Sequence, residues 1–275
     1  MHKTIVKTIG DMAVQALQLE AYTTPKPGLV DRDNNGAHQD MDYAMFLASS
    51  EALRDCFTAC AETGADPDAL REIGIRGEAS MYEVTNHVNT HKGLIFSMGI
   101  LCGALGDLSS RTADFDEADV QRLCARLASQ LLSKDAAKDT HGLDVLEKTG
   151  VSGIRGEALS GFESAFGLGL TTLRESVEEG YDLEPAMVRT LLALMANTED
   201  SNVVHRGGEK GLRFVKEHAA AMFSHVDLRR EADMEMVRAF DEICIEKNLS
   251  PGGSADLLAL TAMLYLFFEE KRKEG

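Results

Sequence analysis

A surplus of basic residues is what this chain most clearly lacks. Its 28 lysines and arginines stand against 45 aspartates and glutamates, a formal net charge of -17. Nucleic acid and anionic membranes both select basic surface, since binding releases counterions or neutralises headgroups. Neither is an expected partner. Long apolar runs are missing as well. The two most apolar stretches, residues 94–105 and 255–268, fall short of the roughly 20 residues that cross a bilayer and read as buried core helices. Met1-His2-Lys3-Thr4-Ile5-Val6-Lys7 has no apolar core with a small-residue cleavage site, which points to a cytoplasmic location. The five cysteines form no paired metal spacing. Cys56 and Cys60 share a helical face, but no nearby His or Cys completes the four ligands of zinc. Reduced, buried thiols are expected.

Alternating β-branched runs are also nearly absent, whereas apolar residues recur at three and four spacing, as in Ile5, Ile9, Met12 and later Leu183, Met187, Leu191, Leu194. The pattern predicts helices near 3–22, 41–63, 68–86, 91–107, 116–135, 157–179, 183–197, 208–224, 229–247 and 254–272. The expected fold is therefore an all-α, single multi-helix domain over residues 1–275. No stretch of Ser/Gly/Pro padding suggests a linker, because the loop-like regions 24–40 and 198–211 contain the motif residues themselves. Asp40, Thr90 and Ser254 are candidate helix caps, and Pro185 suits a first turn. Residues 140–153 keep no period and read as loop with at most one short helix. Gly-Ile-Arg-Gly-Glu-Ala occurs at both 74–79 and 153–158, but the flanks do not match, so no duplication is inferred.

Five strings rich in glycine and charge interrupt the helical pattern. They are Pro25-Lys26-Pro27-Gly28-Leu29-Val30-Asp31, Asn89-Thr90-His91-Lys92-Gly93, Gly153-Ile154-Arg155-Gly156-Glu157, His205-Arg206-Gly207-Gly208 and Asn248-Leu249-Ser250-Pro251-Gly252-Gly253-Ser254-Ala255-Asp256. Glycine is costly in helices, and pairing it repeatedly with charge suits backbone that approaches a ligand closely. Several strings run into apolar helices, whose first N–H groups and positive dipole end favour an anion. They read as one polyphosphate site. Lys26, Lys92, Arg155 and Arg206 are the expected phosphate-holding cations, with Gly28, Asn89, Thr90, Gly93, Glu157, Gly207, Gly208, Gly252, Gly253 and Ser254 around the substrates. Asp200 and Asn202, joined by Asp256, have the oxygen donors that suit a hydrated Mg²⁺. The last string lacks the lysine of a phosphate loop and follows no strand, so it is not a Walker motif.

Read together and in order, Thr24-Pro25-Lys26-Pro27-Gly28-Leu29-Val30-Asp31, Gly36-Ala37-His38-x-Asp40-Met41, Val88-Asn89-Thr90-His91-Lys92-Gly93, Arg155-Gly156-Glu157-Ala158, Arg206-Gly207-Gly208 and the string from Asn248 to Leu258 resemble the triphosphoribosyl-dephospho-CoA synthases. The resemblance runs from about residue 20 to residue 266 and is closer to the citrate lyase type than to the malonate decarboxylase type. One departure is Asp200-Ser201-Asn202, where that family often has Asp-Thr-Asn; the hydroxyl is kept. The resemblance implies a transferase that joins ATP to 3′-dephospho-CoA through a ribosyl-ribose bond and releases adenine. It further implies downstream partners, a holo-acyl-carrier transferase and the acyl carrier subunit of citrate lyase. A homodimer is compatible with the sequence. Displacement at an anomeric carbon calls for a base, help at the leaving group and a carboxylate near the sugar's developing charge. Chemistry nominates Glu78 or Asp31 as base and His38 or His91 at the leaving group. Two other classes fit the phosphate strings: a regulatory protein that binds a nucleotide or CoA-like ligand without turnover, and an all-α nucleotide hydrolase. Acids within or beside the strings favour an enzyme.

Overall fold

The computed structural model describes residues 2–134 and 153–274. Every regular element among them is helical, as the apolar periodicity predicts. The first half contains α1 (His2–Tyr22), α2 (Tyr43–Ala52), α3 (Arg54–Thr63), α4 (Pro67–Val84), α5 (Lys92–Arg111) and α6 (Glu117–Lys134). After the undescribed segment come α7 (Gly153–Leu159), a π-helical turn at Ser164–Gly169, α8 (Leu170–Glu178), α9 (Leu183–Asn197), α10 (Ser201–His225), α11 (Glu231–Glu246) and α12 (Gly252–Glu274).

Two helices organise the core. α5 is buried almost without interruption from Leu94 to Asp107 and is wrapped by α1, α3, α4 and α6. It is the one described helix long and apolar enough to span a bilayer by composition, and in this fold that apolar surface is spent on the protein interior. α9 plays the same part in the second half, packed by α8, α10 and α12. The last helix, α12, touches α1, α5 and α9, so the two halves share one continuous apolar core. α3 and α5 pack especially closely, because a Cβ at Gly106 would lie 1.9 Å from the Ala61 carbonyl oxygen. All five cysteines are free and buried.

The structure adjusts several boundaries. The stretch expected as one helix at 41–63 breaks at Leu53, whose ψ of -2° ends α2 before α3 begins. Asp42, not Asp40, caps α2 by accepting from the Met45 N–H at 2.8 Å. The stretch at 157–179 is interrupted by Gly161 and Phe162, both at positive φ, and by the π turn. α10 starts at Ser201, seven residues earlier than expected, and Gly208 is its kink, with φ 62° and ψ -168°. α7 starts at Gly153, four residues before the expected start at 157; residues 140–152, where the sequence allows a short helix, lie outside the described residues.

Candidate functional site

The site is built where α5 begins. No side chain of its N-cap residue, His91, caps the helix; Asn89 supplies one bond by accepting from the Lys92 N–H at 3.0 Å. Thr90, expected as a cap, instead donates to the Ser49 hydroxyl at 2.8 Å. Ser49 is fully buried, and its other partner is His91 Nδ1 at 2.7 Å. Ser49, which accepts from Thr90, can spend its own proton on Nδ1, and in that tautomer the ring hydrogen is on Nε2. That atom is buried and has no partner in the protein. Burial, reinforced by the Lys26 charge, lowers the His91 pKa to about 3, so the ring is neutral and acts as a hydrogen-bond donor rather than as an acid.

α12 starts against the same point. The half-buried Asp256 carboxylate lies so near α5 that a Cβ at Gly93 would sit 2.7 Å from its Oδ2. From the other side the Pro25-to-Asp31 string returns Lys26 to α1, where Nζ meets Glu20 Oε1 at 2.5 Å; Lys26 is 1% exposed. Burial lifts the pKa of Glu20 above the ordinary carboxylate range, against the opposing pull of Lys26. Burial, then Glu20 and Asp200, push Asp256 up strongly. Lys26 thus compensates Glu20 beside a neutral histidine, whereas no ion pair to Asp256 is found among the described residues.

The remaining polar walls come from distant parts of the chain. Glu78 on α4 pairs with Lys92 at 3.0 Å, both side chains partly exposed. His38 bridges two strings, with Nε2 2.8 Å from the Ser250 hydroxyl and Nδ1 3.2 Å from the Arg206 guanidinium. Its pKa is lowered, first by burial and then by Arg206. Arg206 also donates to the Ala37 carbonyl and to Asn248 Oδ1, at 2.8 and 2.7 Å.

These groups line one cavity of about 1110 Å³. Of the residues singled out from sequence, it gathers Lys26, His38, Glu78, Asn89, Thr90, His91, Lys92, Gly93, Arg155, Asn202, Arg206, Gly252, Gly253 and Asp256. Both copies of the repeated hexapeptide reach it, the first through Gly74, Ile75 and Glu78, the second through Ile154 and Arg155.

Other expected residues lie off its walls. Asp31 is buried, and its oxygens accept from the N–H groups of Lys26, Asp33 and Asn34, which folds the loop that carries Lys26. Gly28, at φ 73°, packs so tightly that a Cβ would lie 2.1 Å from the Leu249 carbonyl oxygen, and its N–H is held by Asp241 at 2.7 Å. Asp200 caps α10 through Asn202 and Val203, while its other oxygen takes the Ser254 N–H and hydroxyl at 2.8 and 3.1 Å. Ser254 is thereby committed to that seam. Glu157 ties α7 to Ser164 at 2.6 Å. Gly207 packs under Leu249, and Gly208 provides the bend in α10. Glu20, Ser49 and the cavity-lining Arg71 are polar groups that sequence reasoning missed; only the need of a buried Lys26 for a carboxylate hinted at the first.

Among the described residues, no group of three His, Cys, Asp or Glu side chains could by itself hold a metal ion. Of the three expected Mg²⁺ ligands, Asp200 has both oxygens engaged, while Asn202 and Asp256 face the cavity.

An all-α protein with a large cavity ringed by lysines, arginines and the starts of two long helices is built to take up polyanionic small molecules. Comparison with known proteins makes this specific. Residues 6–275 match the family described as CitG, ATP:dephospho-CoA triphosphoribosyl transferase, and the chain belongs to that family. It is 39% identical to a probable 2-(5''-triphosphoribosyl)-3'-dephosphocoenzyme-A synthase of Vibrio cholerae serotype O1 (strain M66-2), over 95% of this chain and 88% of the relative. A protein of the same description from Albidiferax ferrireducens is 41% identical over 94% of this chain and 90% of its own. The 2-(5''-triphosphoribosyl)-3'-dephosphocoenzyme-A synthase of Pectobacterium atrosepticum is 41% identical, with 94% and 88% covered. No solved structure matches the chain. The protein is a transferase, and an enzyme rather than a regulatory binder or a hydrolase.

Proposed function

We propose that ATP and 3′-dephospho-CoA meet in the cavity at the start of α5, where the 2′-hydroxyl of dephospho-CoA displaces adenine from C1′ of the ATP ribose. The observation that carries this reading is the convergence of Lys26, Lys92, Arg155 and Arg206 with the starts of α5 and α12 on one cavity. One substrate has a triphosphate and the other a pyrophosphate, and both need such donors.

Glu78 is the carboxylate on the cavity wall suited to take the 2′-hydroxyl proton, in preference to Asp31, whose oxygens already hold backbone N–H groups. Triphosphate drawing Lys92 away would free Glu78 for that task. As the new C–O bond forms, the C1′–N bond breaks and its electron pair leaves with adenine. His91, whose buried Nε2 has no partner in the protein, would hydrogen-bond the departing ring, which gains its proton from solvent. His38, fixed between Arg206 and Ser250, orients the loop beside it.

Mg²⁺ would enter with the triphosphate, keeping phosphate and water ligands and needing only one or two protein oxygens. Asp256 and Asn202 are the candidates. The ion would lower the phosphate charge, and it would compensate Asp256. The product would pass to a holo-acyl-carrier transferase and the acyl carrier subunit of citrate lyase, in the cytoplasm.

Incubation with ATP, Mg²⁺ and dephospho-CoA, followed by chromatography, should show free adenine that depends on dephospho-CoA. CoA should serve poorly, since its 3′-phosphate crowds the attacking hydroxyl. Phosphate release without adenine, or binding with no turnover, would refute the reading.

A further inference from the structure

The polar end of the cavity is only part of it. α4 and α5 run antiparallel, with Glu78 and Lys92 paired at one end and Leu70 against Gly103 at the other, where a Cβ would lie 3.0 Å from a Leu70 methyl. Between Leu70 and Tyr82, both on the cavity wall, α4 advances about 18 Å at 1.5 Å per residue. The wall beyond Glu78 is mostly apolar, formed by Leu70, Gly74, Ile75, Gly99, Ile100 and Leu131, with Arg71 as the charged residue among them. Ile75 is 52% exposed, in a protein that buries most of its large apolar side chains.

Gly74 has no internal reason to be glycine. It lies inside a regular helix, where glycine is unfavourable, and its φ is not positive. The next glycine in α4 is explained by packing, since a Cβ at Gly77 would meet Cys56 Sγ at 2.5 Å. Around Gly74 nothing lies within 4 Å of an added Cβ. Its missing side chain keeps the groove open without serving any contact within the chain.

We infer that this groove between α4, α5 and α6 receives the extended, uncharged pantetheine arm of dephospho-CoA, with Gly74 as the residue whose smallness admits it. The inference rests on the substrate assignment above and adds what that assignment leaves open, namely where the arm lies and which residue selects for it. The occupant follows from chemistry and placement. The groove shares one cavity with the phosphate-binding end, it runs about 18 Å along α4, and most of the side chains on its walls are apolar. Of the two substrates, only dephospho-CoA carries an arm of that character beyond its pyrophosphate.

The test is Gly74→Leu, which favours helix and puts a branched side chain in the groove. Calorimetry would compare dephospho-CoA with ADP, which has the same nucleotide and no arm, alongside adenine release, circular dichroism and light scattering. The expected result is a Kd for dephospho-CoA about tenfold or more weaker, the scale of pocket-shape discrimination, with the ADP Kd changed less than threefold and the helical spectrum retained. Equal weakening of both ligands, or no weakening of either, would overturn the groove assignment. So would a change in oligomeric state with ligand affinities intact, which would make the groove a contact between copies. Wild-type protein that neither binds dephospho-CoA nor releases adenine with it would instead overturn the substrate reading itself.

Discussion

α10 and α5 begin with the same kind of sequence, a short polar string ahead of an amphipathic or apolar helix, yet their first turns are finished differently. At α10 the helix is closed by its own aspartate: Asp200 accepts from Asn202 and Val203 and also holds the start of α12 through Ser254. At α5 the N-cap side chain turns to Ser49, so the dipole end lies at the cavity uncapped by His91 and the buried Nε2 has no partner in the protein. The first arrangement uses up its polar groups internally and yields rigidity. The second leaves them for a ligand. A polar residue at a helix start therefore signals function only when its partners have been counted.

That contrast breaks first at Asp200. Asp200→Ala leaves the donors of Asn202, Val203 and Ser254 without their acceptor, and should cost about 3 kcal/mol of stability, from a lost cap together with unsatisfied buried groups. Urea unfolding measures it. A variant of normal stability that binds Mg-ATP poorly would move Asp200 to the metal and erase the distinction.

At the open end, Glu78→Gln keeps size and polarity but removes the charge. Turnover should fall roughly a hundredfold with ATP affinity kept or tightened, the usual worth of a general base. Collapse of ATP affinity that excess Mg²⁺ partly restores would make Glu78 a metal ligand. Normal turnover would return it to an ordinary half-exposed pair. Its partner gives a smaller effect: Lys92→Ala should weaken ATP binding about tenfold, the scale of one charged hydrogen bond, while stability hardly moves, because the pair is partly exposed. Unchanged ATP affinity by calorimetry would remove Lys92 from the site.

Much of this was legible in the chain. Helical periodicity locates the core helices, and the five strings locate most of the polar side chains on the cavity wall, because glycine and charge side by side are costly unless something is bound there. The division between ligand-facing and structural groups was not legible. Asp31 and Asp256 look alike in sequence, each an acid closing a Gly-rich string, and only the fold shows that Asp31 is occupied by three backbone N–H groups whereas Asp256 faces Gly93 and the cavity. Glu20 was hidden for a different reason. It is one of many acids on helices, and its pairing with Lys26 depends on a loop reversal set by Asp31, not on any local pattern.

The most specific effect concerns the pH dependence of His91. Its pKa is held at about 3 in the folded protein, against about 6.5 for a free histidine, so between those values the unfolded chain binds a proton that the folded chain refuses. Stability from this residue is fully present above pH 6.5 and is lost as pH falls. By pH 5 the loss should reach about 2 kcal/mol. Asp241, raised to about 6 by burial, works in the opposite sense, losing stability as pH rises. Because it is present in both proteins, it cancels when His91→Gln is compared with the wild type. Urea unfolding of the two from pH 8 to pH 5 should therefore converge, with the variant less stable at pH 8 for its lost packing and the gap shrinking toward acid. A gap that stays constant would mean that His91 titrates normally, and the neutral donor at the start of α5 would have to be abandoned.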